Sequence, residues 1–183
     1  MSRDFSSLDT FPKILRNNSV IFKGKPSVRE KEFGIWQTLS WDDFYKKAII
    51  LASGLRDSGL KRGERIAIIG DNRPNLYLSI AAAQILGAIP VPCYQDSVAD
   101  ELKYILEHAE VKIAIVENQE QVDKLLEIKT KLPLLKSIYF DDPRGLEEYK
   151  EEEVKALDEI LLKNIDSDIN MDEDIDKTFA FLL

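Results

Sequence analysis

The sequence predicts an α/β fold: a mainly parallel sheet layered with helices, preceded by a short antiparallel strand pair. Three observations predict it. Short apolar runs alternate with stretches of helical spacing from Arg65 to Phe140. The connections between them are short, as strand–helix–strand units require. Helix punctuation also falls in the right places, with Ser40, Pro74 and Asn118 at starts and Gly59 and Gly87 at stops.

Ser27 to Trp41 reads as the antiparallel pair. Val28 opens one strand, Ile35-Trp36-Gln37-Thr38-Leu39 forms the other, and Gly34 lies near the turn. Ser40 with Asp43 makes an approximate capping box. The helix behind it repeats Trp41, Phe44, Tyr45, Ala48, Ala52 and Leu55, and stops at Gly59, where Leu60 supplies the apolar contact of a glycine cap. Arg65-Ile66-Ala67-Ile68-Ile69 is a strand ending at Gly70. Pro74 sits at the first turn of a helix running to Leu86. That helix is apolar almost all round, so it is expected to be buried. Ile89 to Tyr94 is extended, and its two prolines argue against a central strand.

The alternation continues through a helix near Val98–Ala109, a strand at Val111–Val116, and a helix capped by Asn118 with Gln121. A strand at Leu134–Phe140 then closes in the turn Asp141-Asp142-Pro143-Arg144-Gly145. A last helix is expected to carry Val154, Leu157, Leu161 and Ile165 on one side, with Glu151–Lys155 and Glu159–Lys163 pairs on its wet side. The expected division is a lead-in over 1–26, an α/β core over 27–140, an acidic helix and connector over 141–177, and a core strand over 178–183. The chain ends on Phe179-Ala180-Phe181-Leu182-Leu183. Such a run reads as a strand that leads on into a loop. The expectation is therefore the front part of a longer protein, with its chemistry beyond residue 183.

A chain of 183 residues, 44% hydrophobic and 32% charged, suits one soluble globular unit. The net charge of −8 is uneven. Residues 141–177 hold 15 acidic and 5 basic side chains, leaving the rest of the chain slightly basic. This balance does not suit nucleic acid, which needs a basic face. One cysteine, Cys93, excludes an internal disulfide, and one histidine, His108, excludes a zinc site built on paired histidines. The N-terminal residues lack the apolar core of a signal peptide, and the apolar stretch Ile80–Pro92 is too short to span a bilayer. The expectation is a cytoplasmic protein.

Candidate chemistry is sparse. Gly70-Asp71-Asn72-Arg73-Pro74 joins a strand to a helix start, where backbone N–H groups can hold phosphate. It has a single glycine, however, and reads as an ordinary turn. Asp166-Ser167-Asp168-Ile169-Asn170-Met171-Asp172 opens like a calcium loop. It fails at its sixth position, Met171, and at its twelfth, Lys177. His108 near a helix end suits the helix dipole. Cys93 reads as a small buried apolar residue. No catalytic, cofactor-binding or metal-binding residue is assigned.

Ordered blocks resemble the N-terminal part of the adenylate-forming (AMP-binding) enzymes, in particular bacterial-type long-chain fatty acid–CoA ligases. Thr38-Leu39-Ser40-Trp41-Asp42-Asp43-Phe44 is similar to the family's T-W-x-E helix start. Gly59-Leu60-Lys61-Arg62-Gly63-Glu64-Arg65-Ile66-Ala67-Ile68 is similar to G-x-x-x-G-D-x-V-A-I. Asp71-Asn72-Arg73-Pro74-Asn75 resembles N-R-P-E, with Asn75 in place of the acid. Gly87-Ala88-Ile89-Pro90-Val91-Pro92-Cys93-Tyr94 resembles G-A-x-x-V-P-x-Y. The likeness covers about residues 35–135.

The resemblance implies a parent enzyme that activates a fatty acid with ATP and Mg²⁺ through an acyl adenylate, then transfers the acyl group to coenzyme A. It further implies that this chain lacks the phosphate loop, which would follow the strand at Asp176–Leu183. The chain alone is therefore expected to be inactive and to hold none of these cofactors tightly. A fatty-acid substrate admits peripheral membrane contact, although no basic amphipathic helix is visible. Two rivals stand beside this reading. One is a complete flavodoxin-like module that binds nucleotide at its strand ends. The other is an interaction protein that uses the acidic segment.

Overall fold

The computed structural model describes residues 8–163 and 170–178, with the backbone alone at Lys163. In chain order these form α1 (Phe11–Ile21), β1 (Pro26–Glu32), β2 (Ile35–Ser40), α2 (Trp41–Asp57), β3 (Arg65–Ile69), α3 (Pro74–Ile85) and β4 (Ile89–Cys93). There follow α4 (Ala99–His108), β5 (Ile113–Val116), α5 (Gln119–Ile128), β6 (Ser137–Phe140), β7 (Val154–Ala156), α6 (Leu157–Lys163) and α7 (Asp172–Asp176). β1 and β2 pair antiparallel as a separate hairpin. The other five strands form one parallel sheet in the order β4-β3-β5-β6-β7.

The sheet is covered on both faces, and residue alternation assigns each side chain to a layer. Ile66, Ile113, Ile115 and Tyr139 face a core built with α1, α2, α3, α6 and α7. Ala67, Ile69, Cys93, Ala114, Val116 and Ile138 face the other way, onto α4 and α5. α3 is apolar all round because it lies between the sheet and α2, which buries Leu78, Ala82, Ala83 and Ile85 completely. Each large aliphatic side chain removed from water in this way contributes about 1.5–3 kcal/mol.

Local chemistry sets the helix ends. The Ser40 hydroxyl accepts from the Asp43 N–H (3.2 Å) and donates to the Asp43 carboxylate (2.5 Å). Asn118 likewise accepts from the Gln121 N–H. After α2, Gly59 turns left-handed (φ 94°), so that the Gly59 N–H reaches Arg56 O and the Leu60 N–H reaches Leu55 O. Both bonds belong to a Schellman cap, and buried Leu60 supplies its apolar contact. The proline-bearing β4 takes the edge position, where an absent N–H costs no ladder bond.

Three stretches differ from the sequence reading. The lead-in contains α1, whose Leu15 is buried against α2 and α3. Val154 is not on the last helix. Val154–Ala156 is a strand parallel to β6, and the helix begins at Leu157. The β-branched Val154 pairs with Ile138 and extends the sheet, and this outweighs the helical spacing of the sequence beyond it. Lys155 therefore lies in a strand, and the expected Glu151–Lys155 helical pair does not exist. Asp172–Asp176, read as part of a connector and the start of a strand, forms a short helix with Ile175 fully buried. Ile165, most of the calcium-like segment, and Phe179–Leu183 lie outside the described residues.

Candidate functional site

β3 and β5 are neighbours, but the chain leaves their carboxyl ends in opposite directions, to α3 on one face and α5 on the other. Such a divergence opens a crevice, the usual ligand position in an open parallel sheet. Here the crevice continues into an open cleft of about 540 Å³ roofed by the β1–β2 hairpin. Arg73 and Pro74, the last residues of the turn Gly70–Pro74, line it.

That turn is occupied from within. Ile69 is level with Val116 in the ladder, so Gly70 faces Glu117, the first residue after β5. A methyl group on Gly70 would lie 2.8 Å from Glu117 Cβ, which makes glycine obligatory at this close approach. The Glu117 carboxylate accepts from the Asp71 N–H at 2.6 Å, and the Glu117 N–H donates to Ile69 O at 2.9 Å. Arg73 stands before α3 and meets Glu30 at 2.7 Å, Glu117 at 3.8 Å and Glu32 at 3.9 Å. It therefore ties the hairpin to the sheet. Asn75 donates to Asp141 at 2.6 Å. Burial pushes the Asp141 carboxyl above the usual range, and the Asn75 bond and the Arg73 charge only partly offset this. Arg144 is held by its neighbour Asp142.

The cleft therefore does not fit a nucleotide phosphate. The Asp71 N–H already has an internal carboxylate, and both guanidinium groups are matched. Five carboxylates, from Glu30, Glu32, Glu117, Asp141 and Asp142, line the cleft against three cations. An incoming phosphate would have to displace Glu117 and meet like charge. The arrangement joins hairpin, turn and sheet end rather than holding an anion. No group of histidine, cysteine and carboxylate side chains suited to a metal ion occurs among the described residues.

The other singled-out residues lie elsewhere. Cys93 ends β4 as a buried residue, and burial pushes its thiol up to about 11. His108 is exposed at the last turn of α4, stacked on Tyr104 with ring centroids 6.0 Å apart. Glu117 and Asp141 were missed by sequence reasoning. Their one signal is position, since each follows directly on an apolar strand, where a parallel sheet places its ligand edge. No described helix is long and apolar enough to cross a membrane.

Residues 17–177 match the family model described as AMP-binding enzyme. The long-chain-fatty-acid–CoA ligase ACSBG2 of Xenopus laevis is 30% identical over 112 residues, covering 61% of this chain and 15% of that protein. The human ACSBG2 ligase is 29% identical over 130 residues, covering 70% and 20%. The chain thus spans a fifth or less of these relatives' length. Among solved structures, coronafacic acid ligase from Pectobacterium brasiliense superposes with a TM-score of 0.75 at 20% identity, over 87% of this chain and 30% of that one. The anthranilate CoA ligase AuaEII, solved with anthranoyl-AMP, gives 0.66 at 22% identity, over 71% and 24%. At these identities the structures testify to fold alone. The family match, which runs from α1 through α7, is what assigns the sequence: the chain belongs to the AMP-binding enzyme family.

Proposed function

We infer that this chain is the N-terminal part of the large domain of an AMP-forming long-chain fatty acid–CoA ligase, and that it has no ligase activity alone. The observation that carries the reading is the family match over residues 17–177, in a chain that spans 15–20% of the ligases it resembles. Forming an acyl adenylate concentrates negative charge at phosphorus and needs preorganised donors. The cleft at the sheet end offers the opposite, a surplus of carboxylates with both of its guanidinium groups already paired. ATP, Mg²⁺ and coenzyme A are accordingly assigned to the rest of the parent. The part described here supplies the sheet against which those sites fold. The same cleft weighs against a self-contained nucleotide-binding module, although the strand order is of the kind that such modules use.

The test joins this chain to the polypeptide encoded downstream and supplies fatty acid, ATP, Mg²⁺ and coenzyme A. The expected result is acyl–CoA and AMP from the joined protein and neither from residues 1–183. Acyl–CoA formation by residues 1–183 would overturn the assignment of catalysis to the remainder. A joined protein that adenylates no carboxylic acid would overturn the ligase reading itself.

A further inference from the structure

We propose that the cleft beneath the β1–β2 hairpin docks an arginine-bearing segment of the parent polypeptide encoded downstream of this chain. The proposal rests on the reading of the chain as part of a longer enzyme, since it spans a fifth or less of the ligases it matches. The charge of the cleft is the first reason. A space of about 540 Å³ is lined by five carboxylates against three cations, a surplus of two negative charges. Arg73 is shared among Glu30, Glu32 and Glu117, and Arg144 is held by Asp142. Glu32 is the most loosely held, 3.9 Å from Arg73 with 47% of its side chain exposed. Repulsion from Asp158 and Glu117 adds to the burial that holds the Asp141 carboxyl up. A neutral segment closing the cleft would strip water from these groups and leave the surplus uncompensated. The carboxylates are not gathered as a metal ion requires, because no such group occurs among the described residues. The compensating charge must therefore arrive on side chains.

Phe33 is the second reason, and it selects the kind of cation. It follows Glu32 at the hairpin turn, lines the cleft and is 91% exposed. Val28, Leu39, Pro74 and Pro143 add an apolar wall. A guanidinium can lie flat on an aromatic ring and still fork a neighbouring carboxylate, which a compact ammonium does less well. The aliphatic stem behind it covers apolar surface. Acid, ring and apolar wall side by side are thus complementary to arginine from its charged end to its stem. The cleft also lies at the carboxyl ends of β3 and β5, the edge on which the remainder of the parent is proposed to build.

The experiment uses the joined full-length protein, with Phe33 replaced by the photoreactive p-benzoylphenylalanine, irradiated and mapped by mass spectrometry. Cross-links are expected to a downstream segment that carries an arginine beside the linked residue. Cross-links confined to residues 1–183, to a segment without arginine or to a second molecule would overturn the proposal, as would none at all. Amide exchange in β1 and β2 gives an independent readout. Phe33→Gly relieves the positive φ of 47° and should leave the 183-residue chain as stable as before or more so. In the joined protein the same change should accelerate hairpin exchange about tenfold, because the ring loses its cation. Glu32→Gln should accelerate it about threefold, and high salt should shrink that difference. Equal responses in the chain and the joined protein would mean that nothing downstream sits in the cleft. Acyl–CoA formation is read on the same joined protein, so the two readings fail separately. A joined protein that makes no adenylate but cross-links to an arginine-bearing segment keeps the docking site and loses the ligase reading.

Discussion

β3 and α7 both contribute to one hydrophobic core, yet different forces hold them. Ile66, Ile68 and Ile69 of β3 are essentially removed from water between two other strands. α7 buries Ile175 and is otherwise moored by charge. Arg16 of α1 meets Asp172 (2.9 Å) and Asp176 (2.6 Å), while Arg62 donates to the carbonyls of Asp174 (2.9 Å) and Lys177 (3.1 Å). The hydroxyls of Thr10 and Thr178 meet beside this mooring, 168 residues apart in the chain. The difference predicts that the sheet is insensitive to salt and intolerant of lost volume. The outer elements should show the reverse.

The largest expected effect lies in the core. Leu51 is fully buried on α2, and Leu51→Ala should lower unfolding free energy by about 3 kcal/mol in urea titrations, with little change in high salt. A loss under 1 kcal/mol would mean that this face is loosely packed, and the contrast with α7 would collapse. An intermediate effect is expected at the joint between sheet and hairpin. Arg73→Met leaves Glu30, Glu32 and Glu117 without their common cation and should cost about 1.5 kcal/mol. Amide exchange in β1 and β2 should accelerate before exchange in β3 does. Uniform acceleration would show that the hairpin is no separate unit.

α7 should respond more weakly. The partners of Arg16 are more than half exposed, so Arg16→Gln should cost about 0.5–1 kcal/mol at low salt and less at high salt. The informative readout is local. Amides at residues 175–178 should lose protection while those of β3 keep theirs. Equal loss in both would join the two regions into one cooperative block.

The same contrast separates what could be read in the sequence from what could not. The sheet strands, the buried α3 and the caps at Ser40, Gly59, Pro74 and Asn118 were legible because each is written in a few adjacent residues. β7 was not legible, because three residues of strand followed by helical spacing look like one helix. α1 and α7 were not legible either. Their stability rests on partners such as Arg16 and Asp172, and periodicity carries no record of a contact spanning that distance. The cleft was half legible. The Gly70–Pro74 turn stood out, but its occupant Glu117 is fixed by strand register, which exists only once β3 lies beside β5.

Asp141 gives the smallest and sharpest test of that cleft. Burial raises its pKa above 3.8. A carboxyl held above its unfolded value binds its proton more tightly in the folded chain. Its contribution to stability is therefore fully present below the unfolded pKa and is lost as pH rises through the folded one. Asp141→Asn removes that titration and keeps an oxygen to accept from Asn75. The variant and wild type should then differ least in acid, and the difference should open in the variant's favour from about pH 4 upward. It should level off once the wild-type carboxylate is fully ionised, and the Arg73 charge, which favours that ionised form, limits its size. Urea midpoints measured across that range decide it. A difference independent of pH would mean that the buried proton is not at Asp141. A difference that opens in the wild type's favour would mean that Arg73 outweighs burial, and that the sheet end is held by charge as α7 is.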